Sequence, residues 1–218
     1  MRTISVTAII PAFNEEKTIA PVLETLKTTS EVHRIIVVSD GSTDGTVEVA
    51  KEQGVEVIDL ETNRGKGGAI KAGLDITETD ILLFLDADLV GLTPEHVRML
   101  LEPVMQDRVD MTVGLFEKGR MATDFAQKVT PFLSGQRALK KKILEDISDL
   151  DITRFGVEYA LHNYAEESNL RTEEVVLADL SHMMKEEKMG LWKGSAARFK
   201  MYWEIIRSML KLNNTQEK

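Results

Sequence analysis

The sequence predicts an α/β fold: a mostly parallel sheet with helices on both faces. Three observations predict it. Short apolar runs rich in β-branched residues alternate with segments whose apolar residues recur at helical spacing. The links between them are short, which favours parallel strands joined by crossover helices. The unusual polar residues fall just after the strands, and such sheets bind ligands outside the carboxyl ends of their strands.

The elements follow in order. ISVTAII (4–10) is the first strand, which Pro11 cuts short, presenting Ala12 and Phe13 to the ligand edge. EKTIAPVLETLK is a helix with Ile19, Val22, Leu23 and Leu26 on one face; Asn14 caps it, and Glu15 and Glu16 suit its positive end. RIIVVS (34–39) is a continuous apolar run, the pattern of a strand buried on both faces. TDGTVEVAKEQG is a helix that ends on Gly54, VEVIDL a third strand, and GKGGAIKAGLD a third helix. DILLFLDAD is the fourth strand, and its alternation places Asp86 and Asp88 on one face. Thr93 caps a helix with Pro94 at its first position and Val97, Leu100, Leu101 and Val104 as its inner stripe. VDMTVGLF (109–116) is a fifth strand.

The second half is less regular. TPFLSGQRALKKKIL reads as a loop entering a helix, and FGVEYALHNYAEES as a helix with Val157, Ala160, Leu161 and Tyr164 inward. TEEVVLADLSHMM reads as a strand with His182 at its end. From Ser195 a last helix carries Phe199, Trp203, Ile206 and Leu210 on one stripe. The chain is read as one domain, with a nucleotide-binding lobe (1–116), an acceptor and metal-completing region (117–194) and a C-terminal amphipathic helix (195–218).

Composition bounds the function. The 218 residues, 43% hydrophobic and 29% charged, suffice for one domain with a substantial core. The absence of cysteine excludes disulfides, iron–sulfur clusters and cysteine zinc sites, and fits a reducing cytosol. No apolar run approaches the ~20 residues of a membrane span, and MRTISVTAII reads as a strand rather than a signal peptide. A net charge of −9 disfavours nucleic acid as a partner. The expected location is the cytoplasm. The basic C-terminal helix leaves three readings open: core packing, a homodimer contact, or peripheral contact with the inner face of a membrane.

Four ligand-edge stretches carry chemistry. Asp86-Ala87-Asp88 ends a greasy strand in two acids; alone it is a solvated pair, and in company it is a bridge through a divalent cation to a diphosphate. PAFNEE (11–16) and SDGSTDGT (39–46) each read as a turn with a cap, or as nucleoside contacts, with Asp40 able to accept from a base imide N–H. NRGKGGA (63–69) has glycines that let backbone approach a phosphate, and Lys66 adds a mobile positive charge. Its spacing fits neither the P-loop nor the dinucleotide fingerprint.

In this order, IIPAFNEEKTI, VVSDGSTDGT, NRGKGGAIKAGL and LLFLDADL make the chain resemble the nucleotide-sugar glycosyltransferases of family 2, strongly over roughly residues 4–115. SGQRALKKKIL, FGVEYALH and VVLADLSHMMKEEKMG are similar to the acceptor region and last metal-ligand segment of glucosyl-3-phosphoglycerate synthases and polyprenyl-phosphate glycosyltransferases. The resemblance implies the GT-A fold, a Rossmann-like sheet with a smaller acceptor-side region. It implies that Pro11, Ala12, Asn14 and Glu15 line the nucleoside and that Ser39 and Asp40 lie at the base. Lys66 then touches base or diphosphate, and Asp86 with Ala87 lies near the ribose or a metal-bound water. Asp88 ligates Mg2+ or Mn2+, and His182 completes the shell.

The implied reaction moves a sugar from a UDP- or GDP-sugar to a small phosphorylated or lipid-phosphate acceptor. Ser134, Gly135, Gln136, Arg137 and Glu158 are expected on the acceptor side. Arg137 offers a fork for phosphate, and Glu158 would deprotonate the acceptor if the reaction inverts. Two other classes compete. Sugar-phosphate nucleotidyltransfer calls for a glycine-rich, arginine-containing loop where this chain has PAFNEEK. An inactive nucleotide-binding module has no need of Asp86, Asp88, Lys66 and His182 together.

Overall fold

The computed structural model describes residues 3–117, 134–145 and 156–182. All of these but His182 belong to one compact unit, Met1–Ser181. The strands are β1 (Val6–Ala12), β2 (Arg34–Ser39), β3 (Glu56–Asp59), β4 (Ile81–Phe84), β5 (Leu89–Val90), β6 (Met111–Phe116), β7 (Arg137–Lys140), β8 (Thr172–Leu177) and β9 (Ser181–His182). The helices are α1 (Ile19–Thr28), α2 (Thr46–Glu52), α3 (Gly65–Asp75), α4 (Pro94–Met105), the single turn α5 (Lys142–Glu145) and α6 (Gly156–Glu167).

Seven strands form one sheet in the order β3-β2-β1-β4-β7-β6-β8, and β5 pairs with β9 apart from it. Within the large sheet β7 runs antiparallel to both neighbours, and the other pairings are parallel. The chain winds outward from β1 to β3 and returns to place β4 on the other side of β1. That reversal opens a crevice at the carboxyl ends of β1 and β4.

Alternate residues of the central strands feed two cores. Val6, Ala8, Ile10, Leu83 and Leu85 pack with α1, α2 and α4 through Val22, Leu26, Ala50, Val97 and Leu101. Ile9, Leu82 and Phe84 pack on the other face with Ile70 of α3 and with Val157, Leu161 and Ala165 of α6. Gly73 brings α3 close to the sheet, since a Cβ there would lie 2.8 Å from Ile9 Cγ2.

Several expectations are corrected. Pro11 does not end β1; the strand runs through it to Ala12, opposite Val38 and Ser39. The Ala12 carbonyl accepts from the Asp40 N–H on the β2 side, so residue 11 faces β4. That ladder has already ended at Ile9 and Phe84, and proline forfeits no bond there. The fourth strand stops at Phe84, not Asp88, because neither β1 nor β7 offers it a partner further on. Asp86 and Asp88 therefore sit in a turn. The stretch read as a loop entering a helix contains β7, which separates β4 from β6. The strand expected to reach His182 ends at Leu177, and Asp179, with a φ of 58°, turns the chain into the two-residue β9. The last helix, from Ser195, lies outside the described residues, as does most of the join between the expected lobes (118–133).

An ion cluster holds the edge remote from the crevice. Asp110 accepts from Arg171 Nε at 3.0 Å and Nη2 at 2.9 Å, and from Lys140 Nζ at 2.7 Å; both cations also reach Asp107. The Arg171 hydrogen bonds, joined by those of Lys140, hold the Asp110 carboxyl far below the usual carboxylate range despite partial burial. A depressed folded pKa gives stability that is complete above the unfolded value of ~4 and is lost as pH falls below it. Asp110→Asn is expected to cost about 2 kcal/mol at neutral pH. It should also flatten the acid-side decline in stability, which urea unfolding at neutral and acidic pH would read.

Candidate active site

The loops after β1 and β2 are stitched to each other. Thr43 N–H donates to Asn14 Oδ1 at 2.8 Å, and Asn14 N–H to Ser42 Oγ at 3.1 Å. Glu15 N–H donates to Thr46 Oγ1 at 2.7 Å, and Gly45 N–H to the Glu16 carboxylate at 2.9 Å. Asn14 thus takes a left-handed φ of 58° to bridge loops rather than cap α1. Glu16 meets the start of α2 instead, where a carboxylate suits the exposed N–H groups. Asp44 sits there too; burial opposes its charge, but donors from Thr46 and Glu16 outweigh it and lower its pKa.

At the base side, Asp40 is only 4% exposed. Its Oδ1 accepts the Arg64 N–H at 2.6 Å, tying the β3–α3 loop to β2. Gly41, with φ +70°, lets that loop close in, since a Cβ there would lie 2.8 Å from Asn63 N. Ser39 is fully buried, and its Oγ faces the Ser42 N–H at 3.4 Å. Ala12 and Ala87 are buried in the core. Phe13, which the sequence presented to the ligand edge without naming a contact for it, is 47% exposed beside Asn14. Its signal was visible, because a large apolar side chain directly after a strand at the ligand edge has no core to enter.

The centre of the site is Asp86. Lys66, in the first turn of α3, donates to Oδ1 at 2.5 Å, and Gln136 Nε2 donates to Oδ2 at 2.7 Å. One ligand atom each from Asp86, Asp88 and His182 lies within 4.8 Å of the other two. Two carboxylate oxygens and an imidazole nitrogen suit Mn2+ well and Mg2+ acceptably. All three side chains are half-buried, so the group is sheltered yet reachable.

The residues expected on the acceptor side lie as follows in the fold. Gly135 and Gln136 stand against Asp86, and the neighbouring Ser134 hydroxyl donates to the Gly114 carbonyl at 2.5 Å. Arg137 is 1% exposed, and its Nε donates to the Ser134 carbonyl at 3.1 Å. Glu158 falls in the first turn of α6, and its side chain lies outside the described set. No helix of the described residues is long and apolar enough to cross a membrane.

Comparison with known proteins bears on this geometry. The model of the family described as glycosyl transferase family 2 matches residues 7–161. The chain is 35% identical over 127 residues to the glucosyl-3-phosphoglycerate synthase of Mycolicibacterium smegmatis, covering 54% of this chain and 41% of that one. It is 35% identical over 113 residues to the dolichyl-phosphate beta-glucosyltransferase of Drosophila melanogaster, covering 44% and 35%. The chain thus spans less than half the length of these relatives. Among solved structures it resembles the glucosyl-3-phosphoglycerate synthase of Mycobacterium tuberculosis in complex with Mn2+, UDP-glucose and phosphoglyceric acid. The TM-score is 0.71 at 25% identity, over 83% of this chain and 72% of that one. The same enzyme has also been crystallised with Mg2+ and UDP.

Proposed function

Because this chain belongs to glycosyl transferase family 2, we propose that it transfers a sugar from a UDP-sugar to a small phosphorylated or lipid-phosphate acceptor. The observation that carries the proposal is the meeting of Asp86, Asp88 and His182 beside Lys66, at the crevice where such sheets bind ligands. A divalent cation bound there supplies charge neutralisation for the departing diphosphate. Lys66 adds its positive charge to the same oxygens. Phe13 offers an exposed aromatic face for the base, and Asp40 has acceptor capacity beyond the bond from Arg64.

Glu158 is the group proposed to take the proton of an acceptor hydroxyl if the reaction inverts. The structural neighbour's UDP-glucose and phosphoglyceric acid make these the first donor and acceptor to test. The lipid-phosphate alternative comes from relatives that use dolichyl or dodecaprenyl phosphate.

Nucleotide selectivity is tested by thermal unfolding. At a ligand concentration about 100-fold above Kd, binding adds ~2.7 kcal/mol, roughly 5–10 °C for a domain of this size. UDP with Mn2+ is expected to give that shift and GDP with Mn2+ a smaller one. Equal shifts with both nucleotides, with and without metal, would remove the base pocket from the proposal.

A further inference from the structure

We propose that Gln136 is a positioning residue for sugar transfer, fixing the plane of the Asp86 carboxylate through its side-chain amide. The inference rests on the cation reading of Asp86, Asp88 and His182, and assigns Gln136 a task other than touching the acceptor.

Gln136 has no exposed surface. Its main chain is anchored, since its carbonyl accepts the Gly114 N–H at 2.8 Å and its own N–H points to Ser134 Oγ at 3.3 Å. Its side chain has one workable sense. Nε2 lies 2.7 Å from Asp86 Oδ2, and Oε1 lies 3.2 Å from the Ser134 hydroxyl. A flipped amide would set a carbonyl oxygen against a carboxylate.

As donors to Asp86, Lys66 and Gln136 are unequal in mobility. Lys66 is a long ammonium chain with 28% of its side chain exposed, whereas Gln136 is pinned inside the sheet. Gln136 therefore sets the orientation of the carboxylate, and Lys66 keeps the reach to follow a diphosphate.

Groups that orient a metal-site ligand are typically worth 10- to 100-fold in metal affinity or activity. The test compares Gln136→Met, of similar length without a donor, with Gln136→Leu, branched and likewise without a donor. Both are expected to raise the Kd for Mn2+, read from the free-ion paramagnetic signal, about 10- to 100-fold and to lower kcat/KM in parallel. On an Asp86→Ala background, Gln136→Met should change the Mn2+ Kd less than about threefold, because the acceptor of the amide is gone. Wild-type Mn2+ affinity in both Gln136 variants, or an equal loss on both backgrounds, would overturn the proposal.

A second measurement leaves Gln136 intact. Its side-chain amide resonance is expected to shift on Asp86→Asn, and a resonance that stays in place overturns the contact even if the Gln136 variants do not fold. A wild-type protein that binds no Mn2+ would overturn the cation reading itself, and the amide shift would still decide the Gln136–Asp86 contact.

Discussion

Asp88→Ala is expected to lower kcat/KM for sugar transfer about 10³-fold. The scale is that of removing one group that meets charge developing in the transition state, about 3–4 kcal/mol. Asp88 is the carboxylate proposed to ligate the cation directly, with Asp86 and His182 beside it. Its loss should weaken Mn2+ binding and release of UDP from the donor together. The thermal midpoint without ligand should hardly move, because a half-buried turn carboxylate contributes little to the core. The measurement is UDP release at several Mn2+ concentrations. Wild-type metal-dependent release from the variant would remove the cluster from the mechanism.

Gly135→Ala is expected to cost about 100-fold in kcat/KM while leaving the fold intact. A Cβ at residue 135 would fall 2.7 Å from both carboxylate oxygens of Asp86 and would collide with Lys66 Nζ. The obstructed atoms are the ends of side chains, so the backbone need not move and the fold survives. What moves is the ion pair, and a displacement of about 1 Å at a reacting centre can cost 10²-fold. The expected pattern is a kcat/KM loss with an unchanged urea midpoint. A urea midpoint that falls in step with activity would make Gly135 a structural glycine instead.

The first half of the fold was legible because its signals are local. Ile19, Val22, Leu23 and Leu26 repeat at helical spacing, and they all reach the core. Thr93 and Pro94 announce α4, and the Thr93 hydroxyl does accept the His96 N–H. β7 was not legible, because Arg-Ala-Leu-Lys shows no apolar alternation. Arg137 is buried between strands, which composition would forbid without partners such as the Ser134 carbonyl. The cap expected of Asn14 failed for a related reason: its partner, Thr43, lies in another loop, and no local pattern encodes that meeting.

At the site, the residue types were legible, as was the meeting of Asp88 with His182 through the resemblance; the contact of Asp86 with Gln136 was not. Asp86, Asp88, Lys66 and His182 stood out as polar residues after strands. The contact between Asp86 and Gln136 depends on the sheet order β4-β7, which places neighbours residues far apart in the chain.

The reversal of β7 has a consequence for how such a protein can diversify. A parallel strand offers the ligand edge the residues that follow it; a reversed strand offers those that precede it. Residues 134–136 therefore reach Asp86 from upstream, while the donor-side loops all follow their strands. Donor recognition, as proposed, is inherited in one block of sequence ending at the Asp86–Asp88 turn, and the approach to the acceptor in a later block. Exchange of the later block between relatives can then change what receives the sugar without rewriting what delivers it. The Gln136–Asp86 bond is the seam at which the two inheritances must still agree.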